Sequence, residues 1–250
     1  MNPKFVLPKI GELPVSAPIE SICKFEKVPT RICPTEPEGV KVAADMVVNA
    51  IKAHKENRLF ALGLSTGRTP LGLYAELVNR YQAGEVSFAN VEVYSLDEFY
   101  PMDPASPRSR NYRIHEEFLK HLDIPKENIH LPNGMVPLSE VSEYCAAYEK
   151  SIRKIDLMII GMGEQGQLGF NDPGSYEKSH TRLVQLSLAS RKMISGLFSK
   201  TEVPTMAITM GIETILKAKK IVLMAWGENK ADVIRKVVEG EATEMVPASL

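Results

Sequence analysis

Five short apolar runs that alternate with helical segments constrain the fold of this chain more than any other feature. The runs are as short as buried strands and cover residues 58–65, 91–95, 155–161, 206–210 and 220–226. The helical segments cover residues 38–56, 71–83, 113–122, 139–154, 212–218 and 230–239. Near-continuous apolar strands separated by helices are typical of a mainly parallel sheet with helices on both faces. The sequence therefore predicts an α/β fold.

The first 35 residues differ from the rest because prolines interrupt them throughout. The prolines are Pro3, Pro8, Pro14, Pro18, Pro29 and Pro34. Such a density breaks any long helix, because proline lacks a backbone N–H and clashes with the preceding turn. We therefore expect an extended N-terminal arm over residues 1–35 and one domain from residue 36 to residue 250.

Composition and charge narrow the choice of partner. The chain has 250 residues, and its 30 basic and 31 acidic residues leave a formal net charge of −1. Without a basic field to attract nucleic acid or an anionic membrane, a small molecule is the expected partner.

The apolar runs are far shorter than the roughly 20 residues that span a bilayer, and no signal-peptide core follows Met1, which predicts a cytoplasmic protein. Cys23, Cys33 and Cys145 form no C-x-x-C pair and have no histidine at metal-ligand spacing, so we expect reduced thiols and no metal.

Ligands of parallel α/β sheets bind where the strands end, so the residues after each run are the candidates for function. After the first run, residues 65–70 combine Ser, Thr and Gly with a following helix. Free backbone N–H groups and the positive end of the helix dipole form an anion site there, and phosphate is the natural anion. The same residues could instead only make the turn and cap the helix.

Three charged side chains follow the second and last runs. Asp97 and Glu98 end the second run. Since side chains alternate along a strand, one carboxylate is expected to face the cleft as a single candidate base while its neighbour points away. Both acids could also serve only in ion pairs or caps. Lys230, at the start of the last helix, either reaches a phosphate as a mobile charge or is simply solvated.

The third run leads into a glycine-rich loop over residues 161–173, which begins with G-x-G-x-x-G. We reject a dinucleotide site because the motif comes late in the chain, poor helix formers follow it, and no acid lies about 20 residues beyond Gly166. A loop that brings its backbone close to a small ligand explains the glycines as well. Gly163 is then a candidate ligand contact.

Five motifs follow one another in order between residues 36 and 250. They are LGLSTGRTPLGLY (62–74), AGEVSFANVEVYSLDEFY (83–100), HLDIPKENIH (121–130), GMGEQGQLGFNDPGS (161–175) and ITMGIETILKAKKIVLMAWGENKA (208–231). Together they resemble the glucosamine-6-phosphate deaminase (isomerase) family. The resemblance implies a Rossmann-like, three-layer α/β domain and an amino-sugar phosphate ligand, and we expect no cofactor. Members of that family open the pyranose ring, move a proton from C2 to C1 and release ammonia, leaving fructose 6-phosphate.

The resemblance implies roles for individual residues. Asp97 matches the family's general base for the C2 proton, and Lys230 matches its phosphate-binding lysine. Thr66, Gly67 and Thr69 match its phosphate loop. The predicted substrate-binding residues, all at the sheet edge, are Ser65, Thr66, Gly67, Arg68, Thr69, Gly163 and Lys230.

The third loop departs from the family pattern at its catalytic positions. Gln165 stands where many relatives have an acid, Gln167 replaces the histidine that opens the ring, and Asp172 replaces the glutamate beside it. An amide cannot take up and return a proton near neutral pH, so the ring-opening step has lost its general acid/base. Asp172 keeps a carboxylate that is one methylene shorter, and we predict it to be catalytic together with Asp97.

Three functions stay open at this point. The first is a deaminase of glucosamine 6-phosphate with weakened activity, because the lost acid/base catalysis contributes about 10²–10⁴-fold. The second is a catalytically inactive phosphosugar-binding or regulatory module. The third, a 6-phosphogluconolactonase, ranks last because that family also relies on a histidine in the third loop.

Regulation and assembly are also left open by the sequence. Arg182 matches an arginine that helps form the allosteric phosphate site of hexameric members, but Val184 stands in place of the accompanying lysine, which argues against such control. Family members occur as monomers and hexamers, so a homo-oligomer is compatible with the sequence. Relatives continue with a further strand and helix, so we expect the domain to continue past Leu250.

Overall fold

The computed structural model describes residues 26–199 and 202–250, so most of the predicted arm lies outside the described residues. The helices are α1 (Glu36–Ala53), α2 (Leu71–Gln82), α3 (Arg110–Glu117), α4 (Val141–Ser151), α5 (Leu188–Ile194), α6 (Ile212–Leu216) and α7 (Ala231–Glu239). The strands are β1 (Phe60–Leu64), β2 (Val91–Ser95), β3 (Asp97–Tyr100), β4 (Ile129–His130), β5 (Leu157–Gly161), β6 (Arg182–Gln185), β7 (Met206–Thr209) and β8 (Ile221–Met224).

The central sheet has five strands in the order β4-β2-β1-β5-β8, and every neighbouring pair is parallel. The mainly parallel sheet predicted from the sequence is therefore confirmed. All five residues of the central strand β1 are buried, as expected for a strand that is covered on both faces and needs apolar side chains throughout.

Helices cover both faces of this sheet, which gives the domain three layers. Leu62 points to one face and packs in a core with Val47 of α1 and Leu73 of α2. Ala61, its neighbour in β1, lies in a separate core with Val233 of α7. This division follows from the alternation of side chains along a strand.

One predicted strand belongs to a different sheet. The run at 206–210, expected in the parallel sheet, forms β7 in a second, antiparallel sheet of order β3-β7-β6. An apolar run shows that a strand is buried but not which sheet buries it, and this is why the expectation was wrong. Leu96 joins the two sheets: its N–H donates to the Leu64 carbonyl and its own carbonyl accepts from the Met210 N–H, both at 2.9 Å.

Two sequence expectations concern localisation and thiol state. Within the described ranges, no helix combines the length and the apolarity that a membrane crossing requires. Among the described residues, Cys33 and Cys145 are free thiols, and Cys23 lies outside them.

A buried ion pair connects the segments that precede β1 and β5. The Asp156 carboxylate accepts hydrogen bonds from Arg58 at 2.6 and 2.8 Å and from the Ala61 amide at 2.9 Å, and Lys219 Nζ lies 2.8 Å away. Burial alone would raise the pKa of Asp156, but these donors outweigh it and hold the pKa well below its ordinary range. The pair therefore stabilises the folded state at neutral pH.

Asp156→Asn is expected to lower the free energy of unfolding by about 2 kcal/mol at pH 7, because Arg58 and Lys219 lose their buried anionic partner and keep only the exposed Glu56. Urea unfolding followed by circular dichroism measures this loss. The difference from wild type should shrink as the pH falls below the ordinary carboxyl value of 3.8, since a carboxyl with a lowered pKa stops contributing once it is protonated. The control Asp45→Asn removes an exposed partner of Arg80 and should cost less than about 0.5 kcal/mol. An equal loss in both variants would contradict this account.

Candidate active site

The carboxyl ends of the parallel strands meet at one edge of the central sheet. The register places Leu64 beside Ser95 and Gly161 beside Met224, so the loops that follow these strands leave the sheet side by side. Ligands of parallel sheets bind at this edge. The loops there carry the predicted phosphate-binding residues and Gly163, and Asp97 follows β2.

The loop between β1 and α2 is held at both ends and open in the middle. Tyr74 Oη donates to the Ser65 carbonyl at 2.5 Å, and Trp226 Nε1 donates to the Thr69 carbonyl at 2.9 Å. A Cβ at Gly67 would meet nothing within 4 Å, so the backbone there faces open space. Among the described residues no side chain caps α2, which leaves N–H groups of its first turn available to an anion.

Lys230 brings a cation to the same edge of the sheet. It is partly buried, and its Nζ donates to the Met162 carbonyl at 3.1 Å. Burial lowers the pKa of Lys230, while nearby Glu164 opposes this effect and Arg68 adds to it. A bound anion would compensate for the lost hydration of Lys230 and for its repulsion from Arg68.

Asp97 is the buried carboxylate of the site, with only 2% of its surface exposed. Its Oδ1 accepts a hydrogen bond from Thr66 Oγ1 at 3.0 Å and lies 3.3 Å from Arg110 Nε. A Cβ at Gly169 would lie 3.0 Å from Oδ2, which places the third loop against this carboxylate. Oδ2 accepts no hydrogen bond from any residue that the structure describes. Asp97 therefore lies between the first and third loops with one oxygen left for chemistry.

Glu98 points away from Asp97, as the alternation along a strand predicts. Its carboxylate accepts hydrogen bonds from Ser109 Oγ at 2.5 Å, from the Arg110 amide at 3.1 Å and from the Asn111 amide at 2.9 Å. Burial raises the pKa of Glu98, and these donors partly offset the increase. Because this acid stabilises the helix start, α3 begins at Arg110 instead of the predicted residue 113. The two acids also begin β3 and do not end the second run.

The third loop packs around Gln167, which is 4% exposed. Its Oε1 accepts from the Gln165 amide and its backbone carbonyl accepts from the Gly163 amide, both at 2.9 Å. A Cβ at residue 163 would lie 2.1 Å from Gln167 Cδ, so only glycine fits there. Gly166 and Gly169, with φ of 80° and 57°, take up the left-handed conformation that bends the loop. The two glutamines, which the sequence predicts to replace the family's proton-transfer pair, thus lie together, with the Gln167 amide buried.

Asp172 and Arg182 serve in packing at the far end of this loop. The Asp172 carboxylate accepts from Ser190 Oγ at 2.5 Å and from the Ser187 amide at 3.2 Å, which fixes the start of α5. Within residues 26–199 and 202–250 it makes no hydrogen bond to Gln167. Arg182 Nη1 donates to Asn171 Oδ1 at 2.9 Å. A catalytic role for Asp172 stays a prediction, and its contacts point to the positioning of α5.

Arg110 also belongs to this site, although it was not predicted from the sequence. Its Nη1 donates to Thr66 Oγ1 at 3.1 Å, and its guanidinium lies 4.8 Å from the ring centroids of Phe99 and Phe170. The signal that could have revealed it is Ser109, a good helix N-cap that follows a proline-rich turn. Recognising that cap would have placed Arg110 in the first turn of α3, beside the acids of β3.

A parallel α/β sheet that carries an open anion-binding loop, a lysine and a buried carboxylate at one edge defines the class: α/β proteins suited to phosphorylated small molecules. The family is more specific. Residues 34–250 match the family model described as glucosamine-6-phosphate isomerases/6-phosphogluconolactonase, and the chain belongs to this family.

Three relatives show where the chain lies within the family. It is 42% identical over 217 residues to a glucosamine-6-phosphate deaminase of Thermoanaerobacter sp. (strain X514), which covers 85% of this chain and 84% of the relative. A solved structure described as a monomeric glucosamine-6-phosphate deaminase is 34% identical with a TM-score of 0.81, covering 87% of this chain and 90% of that one. A 6-phosphogluconolactonase from Leishmania guyanensis is 20% identical with a TM-score of 0.69 over 88% and 89% of the two chains, and it shares the fold alone.

Proposed function

We propose that this protein is a glucosamine-6-phosphate deaminase, which converts glucosamine 6-phosphate and water to fructose 6-phosphate and ammonia. The position of Asp97 carries the proposal, because this buried carboxylate contacts Thr66 in the anion-binding loop at 3.0 Å. Relatives named as deaminases, at 42% and 34% identity, support this substrate over a gluconolactone.

The phosphate of the substrate fits the loop that contains Gly67. Backbone N–H groups there and at the start of α2, together with the hydroxyls of Thr66 and Thr69, provide donors for its oxygens. Lys230 supplies a positive charge, and Arg68 adds a second one nearby. We propose that Ser65 and Gly163 complete this binding site.

Asp97 acts on the open-chain form of the sugar in this proposal. Its carboxylate takes the proton from C2, the electron pair forms the C1–C2 double bond, and negative charge develops on O1. Protonation of O1 and return of the proton to C1 give the 2-imine of fructose 6-phosphate. Water hydrolyses this imine to the ketone, so one water enters and one ammonia leaves.

Ring opening is the step that the site supports least. The Gln167 amide is buried against Gly163 and accepts from the Gln165 amide, and an amide exchanges no protons near neutral pH. We therefore propose a weakened enzyme whose rate is limited by spontaneous opening of the sugar ring. A phosphosugar-binding module without turnover is the alternative, and the same glutamine favours it.

The sequence supports proposals on the location, the ligand, the cofactor requirement and the assembly of the protein. We propose a cytoplasmic protein that binds one sugar phosphate and needs no cofactor. A homo-oligomer stays compatible with the family, although one relative of known structure is described as a monomer.

Ammonia release from glucosamine 6-phosphate tests the proposed function. We expect release above the enzyme-free background, and none from glucosamine, which lacks the phosphate. Tight binding without ammonia would instead support the binding module. Hydrolysis of 6-phosphogluconolactone without ammonia release would identify a lactonase.

Lys230→Met is expected to raise the KM for glucosamine 6-phosphate by about 10- to 100-fold, because a charge-assisted contact is worth about 1.5–3 kcal/mol. Steady-state kinetics measure this change, and kcat should change less. Lys236→Met, at an exposed position in α7, the helix that begins directly after Lys230, is the matched control. An unchanged KM in the Lys230 variant would place the phosphate elsewhere.

A further inference from the structure

Arg110 is a buried arginine that the proposed reaction leaves without a role. Its side chain is 11% exposed, and its guanidinium packs against the pair of rings Phe99 and Phe170, 4.8 Å from each ring centroid. Aromatic faces attract a guanidinium and fix the plane in which its N–H groups point. The chain therefore holds this cation rigidly and largely without water.

The guanidinium has more donors than the described residues accept. Nη1 donates to Thr66 Oγ1 at 3.1 Å. Nε lies 3.3 Å from Asp97 Oδ1 but is buried without a hydrogen-bond partner of good geometry. Arginine carries five N–H donors, and a buried donor without a partner is destabilising. Donors left over at the ligand-binding edge of a sheet indicate that a ligand supplies the missing oxygen.

Arg110 and Asp97 contact the same hydroxyl, that of Thr66. A substrate whose C2 lies against Asp97 therefore places the substituents of C1 within reach of Arg110. The charge pair with Asp97 involves Oδ1, and Oδ2 is the oxygen that faces the third loop. Base and guanidinium can thus contact neighbouring atoms of one ligand at the same time.

We infer that Arg110 is a further substrate-binding residue, whose guanidinium binds O1 of the open-chain sugar phosphate. The inference rests on the proposed function and adds one residue to it. When the C2 proton passes to Asp97, the electron pair shifts towards O1, and a fixed cation beside O1 stabilises that charge. Arginine stays protonated throughout, so Arg110 supplies charge and orientation but moves no proton.

Binding of a ligand that cannot react tests this inference apart from catalysis. The probe is 2-amino-2-deoxyglucitol 6-phosphate, an open-chain analogue, titrated by calorimetry beside inorganic phosphate. Arg110→Met should weaken the affinity for the analogue by about 10- to 100-fold and leave that for inorganic phosphate unchanged. Arg110→Lys keeps the charge without the planar fork, so it should fold like wild type and bind the analogue with intermediate affinity.

Arg108→Met is the matched control, because Arg108 lies in the same segment but is exposed, pairs with Glu202 at 2.6 Å and lies 5.8 Å from the Phe198 ring centroid. It should bind both probes like wild type.

Each outcome decides a separate point. If both Arg110 variants bind the analogue as tightly as wild type, the inference is overturned even if kcat falls, because Arg110 then only positions Asp97. If wild type binds the analogue but releases no ammonia, the proposed function fails, and the comparison of affinities still decides the role of Arg110. If wild type binds neither analogue nor substrate, both are overturned.

Discussion

Asp97→Asn is expected to lower kcat for ammonia release by at least about 1000-fold, in the range that general base catalysis contributes. The amide keeps the size of the carboxylate and can still accept the hydrogen bond from Thr66. It cannot take the proton from C2. Since the change removes an interaction needed only in the transition state, KM should change little while kcat falls.

Two measurements make the Asp97 result interpretable. Thermal unfolding of the variant shows whether loss of the ion pair with Arg110 has disturbed the fold. Asp103→Asn changes an exposed acid that follows β3 and should retain wild-type kinetics. If Asp97→Asn retained a kcat within a few-fold of wild type, Asp97 would not be the base.

The second prediction with a large expected effect is a gain of deaminase activity in a double variant. Gln167→His combined with Gln165→Asp introduces an imidazole with an acidic neighbour at the two positions where the sequence predicts a departure from the family pattern. A general acid/base for ring opening should raise kcat by about 100-fold, the lower part of the range that such catalysis contributes. The imidazole must fit where the Gln167 amide lies against Gly163.

The dependence of the rate of ammonia release on enzyme concentration shows whether the double variant has gained catalysis of ring opening. If wild type acts only on sugar that has opened spontaneously, its rate should level off as enzyme is added, whereas the rate of the double variant should keep rising. Gln165→Asp alone is the control and should behave like wild type. Identical plateaus for wild type and double variant would show that Gln167 does not limit ring opening.

Much of the fold could be predicted from the sequence because apolar periodicity reports burial directly. The central strand β1 and the helix that follows it lie where the pattern predicts. Three short strands escaped prediction. Strands β4 and β6 have only two and four residues and are not fully buried, and β3 is buried but has only four residues and begins with the two acids Asp97 and Glu98. The run at 206–210 was assigned to the wrong sheet because the choice between sheets depends on long-range pairing, here through Leu96, which local pattern does not encode.

The residues of the candidate site that come after the end of a strand could be predicted from the sequence. Asp97 follows the end of β2 directly after Leu96, and Lys230 lies in the segment between β8 and α7, so the rule for parallel sheets locates both. Arg110 could not be found in this way, because its position depends on Glu98 and Ser109 starting a helix after a long turn. Asp172 shows the opposite case. Its place in the motif predicts chemistry, whereas the hydrogen bonds that it accepts from the Ser187 amide and Ser190 Oγ attach the third loop to the start of α5.

Proton NMR of glucosamine 6-phosphate incubated with the protein in D₂O tests the central claim most directly, because it detects the hydrogens on C1 and C2 of the sugar separately. The account predicts slow appearance of fructose 6-phosphate in amounts equal to the ammonia released, with deuterium at C1 only in the fraction of turnovers in which the proton on Asp97 exchanges with solvent before it reaches C1, and neither product with Asp97→Asn. Glucosamine 6-phosphate that persists unchanged, with no exchange at C2, would contradict deamination by this site.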